Sequence, residues 1–150
     1  MTREEYINNL FEVYDLVSVL SDKNDCRVLR LRHKKLGKDI VLLSYPKAIE
    51  AYSQLAEIEC QNIPTVYDAV ELSDGQLVLE EFIDGITLAQ VMDAERLIYK
   101  RAKAILGELC SALSALHSLG FVHRDVKPEN IMLDKGGHLK LIDLNASRMV

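Results

Sequence analysis

The sequence predicts an α+β protein in which a five-stranded antiparallel sheet with one packed helix is followed by a mainly helical part. Between residues 14 and 82, five runs rich in Val, Ile and Leu are separated by short turn-like segments. One stretch of helical periodicity interrupts these runs after Pro46. Beyond Phe82 the pattern changes to a long helical repeat, so we expect two parts, residues 1–82 and residues 83–150.

A short helix is predicted at the beginning of the chain. Thr2 and Glu5 have the spacing of a capping box, in which each side chain bonds to the backbone of the other residue. Ile7, Leu10 and Phe11 then recur at helical intervals. The helix therefore has an apolar side that can pack on the sheet.

The first three strands are predicted as an antiparallel meander. Their sequences are DLVSVL, CRVLRLR and KDIVLLSY, and the segments SDKND and HKKLG between them are typical of turns. In the second run Leu29 and Leu31 alternate with Arg30 and Arg32. This alternation indicates a strand with one buried and one solvated face.

The helix after the meander is predicted to begin near Pro46, because proline is favoured in the first turn of a helix. Its apolar stripe contains Ile49, Tyr52, Leu55 and Ala56. Its opposite face contains Glu50, Gln54 and Glu57. The amphipathic pattern indicates that this helix lies on the sheet.

The last two strands of the sheet are predicted as a hairpin. The runs IPTVYDAVEL and QLVLEEF are joined by SDG, which is a strong turn signal. They extend the meander to five strands.

After Phe82, the segment IDGITLAQVM is interpreted as a glycine-containing connection to a long helix from Arg96 to Leu119. Gly120 has the position of a C-cap. A strand IML, a turn DKGG and a strand LKLID are predicted near the end of the chain. The apolar stripe of the long helix, which we expect to be buried, consists of Ala102, Ile105, Leu106, Leu109, Leu113 and Leu116.

Composition excludes several classes of protein. The net charge of −5 argues against a nucleic-acid binder, which needs a basic surface. No apolar segment reaches the roughly 18 residues that span a bilayer, and the start MTREEY is too charged for a secretory signal. The three cysteines form no C-x-x-C pair, so we expect reduced, mostly buried thiols. A cytoplasmic location without nucleic-acid or membrane partners is expected.

The segment FVHRDVKPENIMLD concentrates polar groups in one short loop between the long helix and a hairpin. Asp125 could accept a proton from a hydroxyl, and Lys127 could neutralise phosphate oxygens. Asn130, with Asp143 at the end of the next strand, could offer oxygen ligands to Mg²⁺. For any one of these residues alone, capping of a turn is the better interpretation. The ordered set favours catalysis.

The set resembles the catalytic loop of the eukaryotic-type Ser/Thr protein kinases, whose signature is H-R-D-x-K-x-x-N followed by D-F-G. Here D-F-G is replaced by Asp143, Leu144 and Asn145, where Leu keeps the apolar character and Asn tolerates a positive φ. The resemblance covers essentially the whole chain. It implies a protein-kinase fold with the five-stranded N-lobe in residues 1–82, and the hinge and first part of the helical C-lobe in residues 83–150.

The resemblance also implies where ATP binds. Val28 and Val41 fall at the family positions that cover the adenine, Met132 falls beneath it, and Glu80 takes the gatekeeper position. Backbone groups of Glu81 and Ile83 would read the adenine edge. Asp125 and Lys127 would be catalytic, whereas Asn130 and Asp143 would hold Mg²⁺.

The N-lobe departs from the family pattern at two places. Ser21, Lys23 and Cys26 stand where the phosphate-covering loop has glycines, which let the backbone approach the phosphates closely. Leu43 stands at the position of the ATP-anchoring lysine, for which only Lys47 or Lys23 could substitute. Which of Glu50, Gln54 and Glu57 corresponds to the helical glutamate that pairs with that lysine stays open.

Two functions are therefore expected as alternatives. One is ATP-dependent phosphoryl transfer to Ser or Thr hydroxyls of a protein substrate. The other is a pseudokinase, a nucleotide-binding or scaffolding module without turnover. The chain stops where the family continues into further helices, which leaves the Arg96–Leu119 helix with an uncovered apolar face. We therefore expect this chain alone to be inactive, and we expect it to associate with a regulatory protein or as a homodimer.

Overall fold

A computed structural model describes all 150 residues. They form two compact units, one of Met1–Glu57 with Thr65–Phe82, and one of Ile58–Pro64 with Ile83–Val150. The first unit contains the sheet and two helices, and the second contains the remaining elements.

The five-stranded antiparallel sheet of the first unit is confirmed. Neighbouring strands pair in the order β1-β2-β3-β5-β4, and every pair is antiparallel. The order follows from two hairpins and a third strand that pairs with both. The strands are β1 (Tyr14–Lys23), β2 (Cys26–His33), β3 (Asp39–Tyr45), β4 (Val66–Leu72) and β5 (Gly75–Glu81).

Helix α1 (Arg3–Leu10) begins with the predicted capping box between Thr2 and Glu5. Its buried residue Ile7 belongs to the main core of the unit, with Tyr6, Leu10 and Phe11 packed around it. The helix thereby covers one face of the sheet, which keeps the apolar side chains of that face out of water. The sheet residues in this core are Leu29, Leu31, Ile40, Leu42 and Leu77.

Helix α2 (Glu50–Leu55) is shorter than predicted, and its expected start at Pro46 is wrong. Ile49 has an extended backbone, and its N–H donates to Oε1 of the fully buried Gln76 over 2.8 Å. This tertiary bond delays the first helical turn to Glu50. Ala56 lies beyond the helix and is exposed.

The β1–β2 hairpin is longer than the sequence indicates, because residues 21–23 continue the strand. Only Asn24 and Asp25 form the turn, with φ values of 54° and 60°. Asn and Asp are the non-glycine residues that most readily adopt this left-handed conformation. The predicted turn SDKND is thus reduced to its last two residues.

Asp39 organises the solvated face of the β2–β3 hairpin. It accepts hydrogen bonds from Arg32 Nε at 2.7 Å and from Arg30 Nε at 2.7 Å. The bond to Arg32, together with the bond to Arg30, lowers the pKa of the Asp39 carboxyl although its burial opposes this shift. The Arg30 guanidinium in turn lies 4.0 Å above the ring centroid of Phe82, so it connects this cluster to the end of the sheet unit.

The second unit combines two helices with two small sheets. Strand β8 pairs with β6 and β9, and β7 pairs with β10. A 3₁₀ turn, Pro128–Asn130, precedes β8. The elements are β6 (Gly85–Thr87), α3 (Leu88–Ala94), α4 (Tyr99–Ser118), β7 (Phe121–Val122), β8 (Ile131–Asp134), β9 (Leu139–Leu141) and β10 (Arg148–Met149).

Helix α3 replaces much of the predicted connection. Thr87 and Gln90 form a complete capping box at its start, and Leu88 and Val91 are buried. The segment TLAQ thus contained a helix signal that our interpretation as a loop overlooked.

Helix α4 begins three residues later than predicted, at Tyr99, and ends at Ser118. Gly120 has φ 87° and caps it as expected. Of the apolar stripe, Ile105 and Leu116 are buried, whereas Leu106 is 58% exposed, so the prediction that the whole stripe is buried is wrong. Ala102, Leu109 and Leu113 are half-buried.

The segment Ile58–Pro64 belongs to the second unit because Asn62 ties it to β9. Its side-chain amide donates to the carbonyl of Leu139 over 3.0 Å. The N–H of Leu141 donates to the carbonyl of Asn62 over 2.8 Å.

Candidate active site

The loop that follows β7 is anchored by His123, which is 1% exposed. The backbone N–H of Asp125 donates to Nδ1 of His123 over 3.1 Å, so Nδ1 carries no proton. The proton is on Nε2, which donates to the carbonyl of Ile142 over 2.9 Å. One buried imidazole thereby fixes the loop to the end of β9.

Asp125 lies at the centre of the loop. The side-chain amide of the buried Asn130 donates both to its backbone carbonyl (2.9 Å) and to Oδ2 (3.0 Å). Lys127 Nζ lies 3.6 Å from the other carboxylate oxygen, Oδ1. The carboxylate keeps 38% exposure and the ammonium 50%, so both charged groups are oriented yet accessible.

Asp143 follows directly on the anchored residue Ile142. The N–H of Ile142 donates to the backbone carbonyl of Asn130 over 2.9 Å, which brings this strand end to the loop. Asp143 has φ 61° and an exposed side chain, and its Oδ1 accepts the N–H of Asn145 at 3.1 Å. The left-handed residue is thus Asp143, whereas we expected the positive φ at Asn145. Leu144 is 2% exposed and fills the apolar position as predicted.

Asn130 and Asp143 are chemically suited to a hard cation. Asn130 directs its amide nitrogen to Asp125, which leaves the carbonyl oxygen as the atom that can face a cation. Mg²⁺ takes oxygen ligands and usually needs only one or two protein carboxylates beside water and phosphate. The structure contains no group of three or more His, Cys, Asp or Glu side chains that could hold a metal ion.

The expected adenine-covering residues share one face of the sheet in the first unit. Val28 is opposite Leu43, which is opposite Val78, and Val41 is opposite Glu80. Directly opposed residues lie on the same face, and so do residues two apart on a strand. The face turned away from α1 is therefore apolar around Leu43, and elsewhere it carries the charged residues Arg30, Asp39 and Glu80.

Residues 26–150 match the family described as "Protein kinase domain". The chain is 32% identical over 119 residues to the probable serine/threonine-protein kinase PknB of Lactococcus lactis, which covers 79% of this chain and 18% of that protein. It is 29% identical over 147 residues to serine/threonine-protein kinase 36 of Pongo abelii, covering 91% of this chain and 11% of the relative. With human Rho-associated protein kinase 1 it shares 48% identity over 63 residues, which are 42% of this chain and 5% of that protein.

The chain belongs to the protein kinase family. It spans less than a fifth of the length of these curated relatives. No helix of this protein kinase chain is both long and apolar enough to cross a membrane.

Leu43, which the sequence analysis compared with the ATP-anchoring lysine, has its side chain in an apolar environment. Leu43 is only 5% exposed and pairs across the sheet with Val28 and Val78. Lys23 and Lys47, the expected substitutes, are both exposed. Leu43 is therefore buried and uncharged, and neither of the two expected substitutes is buried beside it.

The remaining expected nucleotide contacts are distributed between the two units. The N–H of Glu81, at the end of β5, is already committed to the carbonyl of Thr65 over 2.8 Å. Ile83 is 7% exposed in the second unit. Met132 is half-buried on β8, opposite Thr87 and Lys140.

The helical glutamate of the kinase pattern has no clear counterpart. Glu50 and Gln54 lie on α2 with exposed side chains, and Glu57 lies beyond the helix and is also exposed. None of the three is in the core, so the structure does not select one of them.

Two features of the site were not deduced from the sequence. The anchoring role of His123 was missed, although Phe121 and His123 flank the less buried Val122 with the period of two that marks inward side chains of a strand. The thiols were expected to be mostly buried, but Cys110 is exposed and Cys26 and Cys60 are half-buried. None of the three cysteines forms a disulfide bond.

Proposed function

We propose that this chain forms the nucleotide-binding and catalytic-loop part of a Ser/Thr protein kinase, which transfers a phosphoryl group from ATP to a Ser or Thr hydroxyl of a protein. The observation that carries the proposal is the arrangement around Asp125. The Asp125 carboxylate accepts a hydrogen bond from the Asn130 amide and lies 3.6 Å from the Lys127 ammonium, yet it stays accessible. The buried His123 holds the backbone of the same aspartate. Phosphoryl transfer needs such preorganised positioning more than covalent chemistry.

In this proposal Asp125 orients the acceptor hydroxyl and accepts its proton. Lys127 stabilises the charge on the transferred phosphoryl group. Asn130 and Asp143 would hold Mg²⁺, which neutralises phosphate charge when bound. Val28, Val41 and Met132 would contact the adenine through apolar side chains, and backbone groups of Glu81 and Ile83 would read its edge.

The alternative, a pseudokinase without turnover, is favoured by the first unit. Leu43 supplies no charge, and strand residues with side chains replace the glycines of the phosphate-covering loop. Phosphates then contribute less to binding than in an ordinary kinase, whereas adenine contacts are retained.

The first prediction concerns the share of the phosphates in binding. Because Leu43 replaces the lysine, we expect Mg-ATP to bind less than about a hundredfold more tightly than adenosine, a difference below about 2.7 kcal/mol. Calorimetric titration of the same protein with both ligands measures this ratio. A larger ratio would mean that phosphate contacts survive, whereas absence of binding by either ligand would contradict the proposed nucleotide site.

We also propose that the exposed side of α4 binds a regulatory protein or a second copy of this chain. Leu106 is 58% exposed on α4, and Ile98 and Tyr99 at its start are 66% and 81% exposed. The protein is proposed to work in the cytoplasm without nucleic-acid or membrane partners, in keeping with its acidic composition.

The second prediction tests self-association through α4. We expect Leu106→Ser to weaken a dimer at least about tenfold, because it removes apolar surface from the interface. Sedimentation equilibrium of the parent and the variant measures the dissociation constant. Met92→Ser, which changes a 51% exposed side chain on α3, is the matched control and should have no effect. A parent that is monomeric at high micromolar concentration would exclude the homodimer.

A further inference from the structure

Arg3, in the first turn of α1, is the only lysine or arginine that is buried. Its Nη1 donates to Ser44 Oγ over 3.1 Å and to the carbonyl of Asp25 over 3.2 Å. Its Nη2 donates to Asp25 Oδ2 over 2.7 Å. Its backbone N–H donates to Asp74 Oδ1 over 2.7 Å, and Nε lies 3.5 Å from Asp74 Oδ2.

These partners come from three separate segments at the same end of the strands. Asp25 is in the β1–β2 turn, Ser44 is near the end of β3, and Asp74 is in the β4–β5 turn. Gly75 leaves room for the guanidinium, because a Cβ at this position would lie 3.0 Å from Arg3 Cδ and 2.0 Å from the Tyr45 carbonyl oxygen. The side chain of Arg3 is thus packed between the ends of the strands and is not exposed on their surface.

The contacts that hold the two turns together depend on the positive charge of Arg3. The side chains of Asp25 and Asp74 are 67% and 42% exposed, whereas that of Arg3 is 11% exposed. The carboxylates of Asp25 and Asp74 both approach the guanidinium of Arg3. Without this guanidinium, two negative charges would lie at this end of the sheet and repel each other. Ser44, which is 1% exposed, would also lose the donor that contacts its hydroxyl.

We propose that Arg3 is a positioning residue that holds the tip of the β1–β2 hairpin, Asn24 and Asp25, against α1 and the end of β3 in the absence of a ligand. In the protein kinase pattern this hairpin covers the phosphates of ATP. Here its position is set from the opposite face of the sheet by the N-terminal helix. Because the hairpin is already ordered, binding of a ligand beneath it costs less conformational entropy.

Amide hydrogen exchange without nucleotide tests this inference, so its outcome is independent of the proposed function. In Arg3→Met we expect exchange of residues 22–27 to accelerate at least about tenfold. Amides of the core strand residues Leu42 and Val78 should keep their rates. Arg3→Lys, which preserves the charge, should restore part of the protection.

Two further variants distinguish loss of the contact between Arg3 and Asp25 from a general loss of stability. Asp25→Asn removes the carboxylate but keeps a residue that tolerates the positive φ, so the tip alone should exchange several times faster even if Arg3→Met fails to fold. Glu4→Gln is the matched control at the tip itself, because it breaks the exposed ion pair between α1 and Arg27 on β2 and leaves the contacts of Arg3 with Asp25 in place, so Asn24 and Asp25 should keep their exchange rates. Unchanged exchange at the tip in Arg3→Met and Asp25→Asn, or equal acceleration in all strands, would overturn the proposal.

Discussion

In Asp143→Asn we expect the gain in ATP affinity that Mg²⁺ confers to fall at least about tenfold, with adenosine binding unchanged. The carboxylate would supply the negative charge of the proposed cation site, and an amide provides an oxygen of similar size without that charge. Titrations with ATP in excess Mg²⁺ and in excess chelator, for the parent and the variant, give this ratio directly.

Two controls interpret the outcome. Asp125→Asn changes the carboxylate that is proposed to act on the hydroxyl, so it should preserve the Mg²⁺-dependent gain while abolishing any transfer activity of a longer chain. Asp134→Asn changes a turn-capping carboxylate whose Oδ1 accepts the N–H groups of Gly136 and His138. If Asp143→Asn resembles Asp134→Asn in every titration, Asp143 only caps its turn and the metal assignment is wrong.

His123→Ala should lower the free energy of unfolding by about 3 kcal/mol. The substitution leaves a cavity where the imidazole was, and it removes the partners of the Ile142 carbonyl and the Asp125 N–H. Because the contact with Ile142 connects the loop to the end of β9 and the contact with Asp125 fixes the backbone within the loop, we also expect faster amide exchange at Asp125 and Ile142. Urea denaturation followed by circular dichroism measures the stability.

The matched control is His117→Ala, which changes an exposed histidine on α4 and should cost less than about 0.5 kcal/mol. An equal loss of stability in the two variants would show that His123 has no special anchoring role. His123→Asn tests the two hydrogen bonds separately from the loss of all polar atoms, because a smaller amide can replace at most part of the pair of bonds that the imidazole makes.

Local patterns in the sequence were sufficient to predict the sheet and most of its helices. The alternation of Leu29 and Leu31 with Arg30 and Arg32 identified a strand with one buried face, and Thr2 with Glu5 identified the start of α1. The order of His123, Arg124, Asp125 and Asn130 identified the family before any geometry was known. These features are encoded within a few neighbouring residues, so the sequence alone contains them.

Features that depend on contacts between distant residues required the tertiary structure. The late start of α2 results from the bond between Ile49 and Gln76, and the exposure of Leu106 depends on what surrounds α4. The burial of Arg3 is the clearest case, because its partners Asp25 and Asp74 are 22 and 71 positions away. A charged residue at the start of a helix predicts only exposure. A charge is stable in a protein interior only when it is paired. Arg3 can therefore be buried only because the fold of the sheet brings the two aspartate-containing turns next to it.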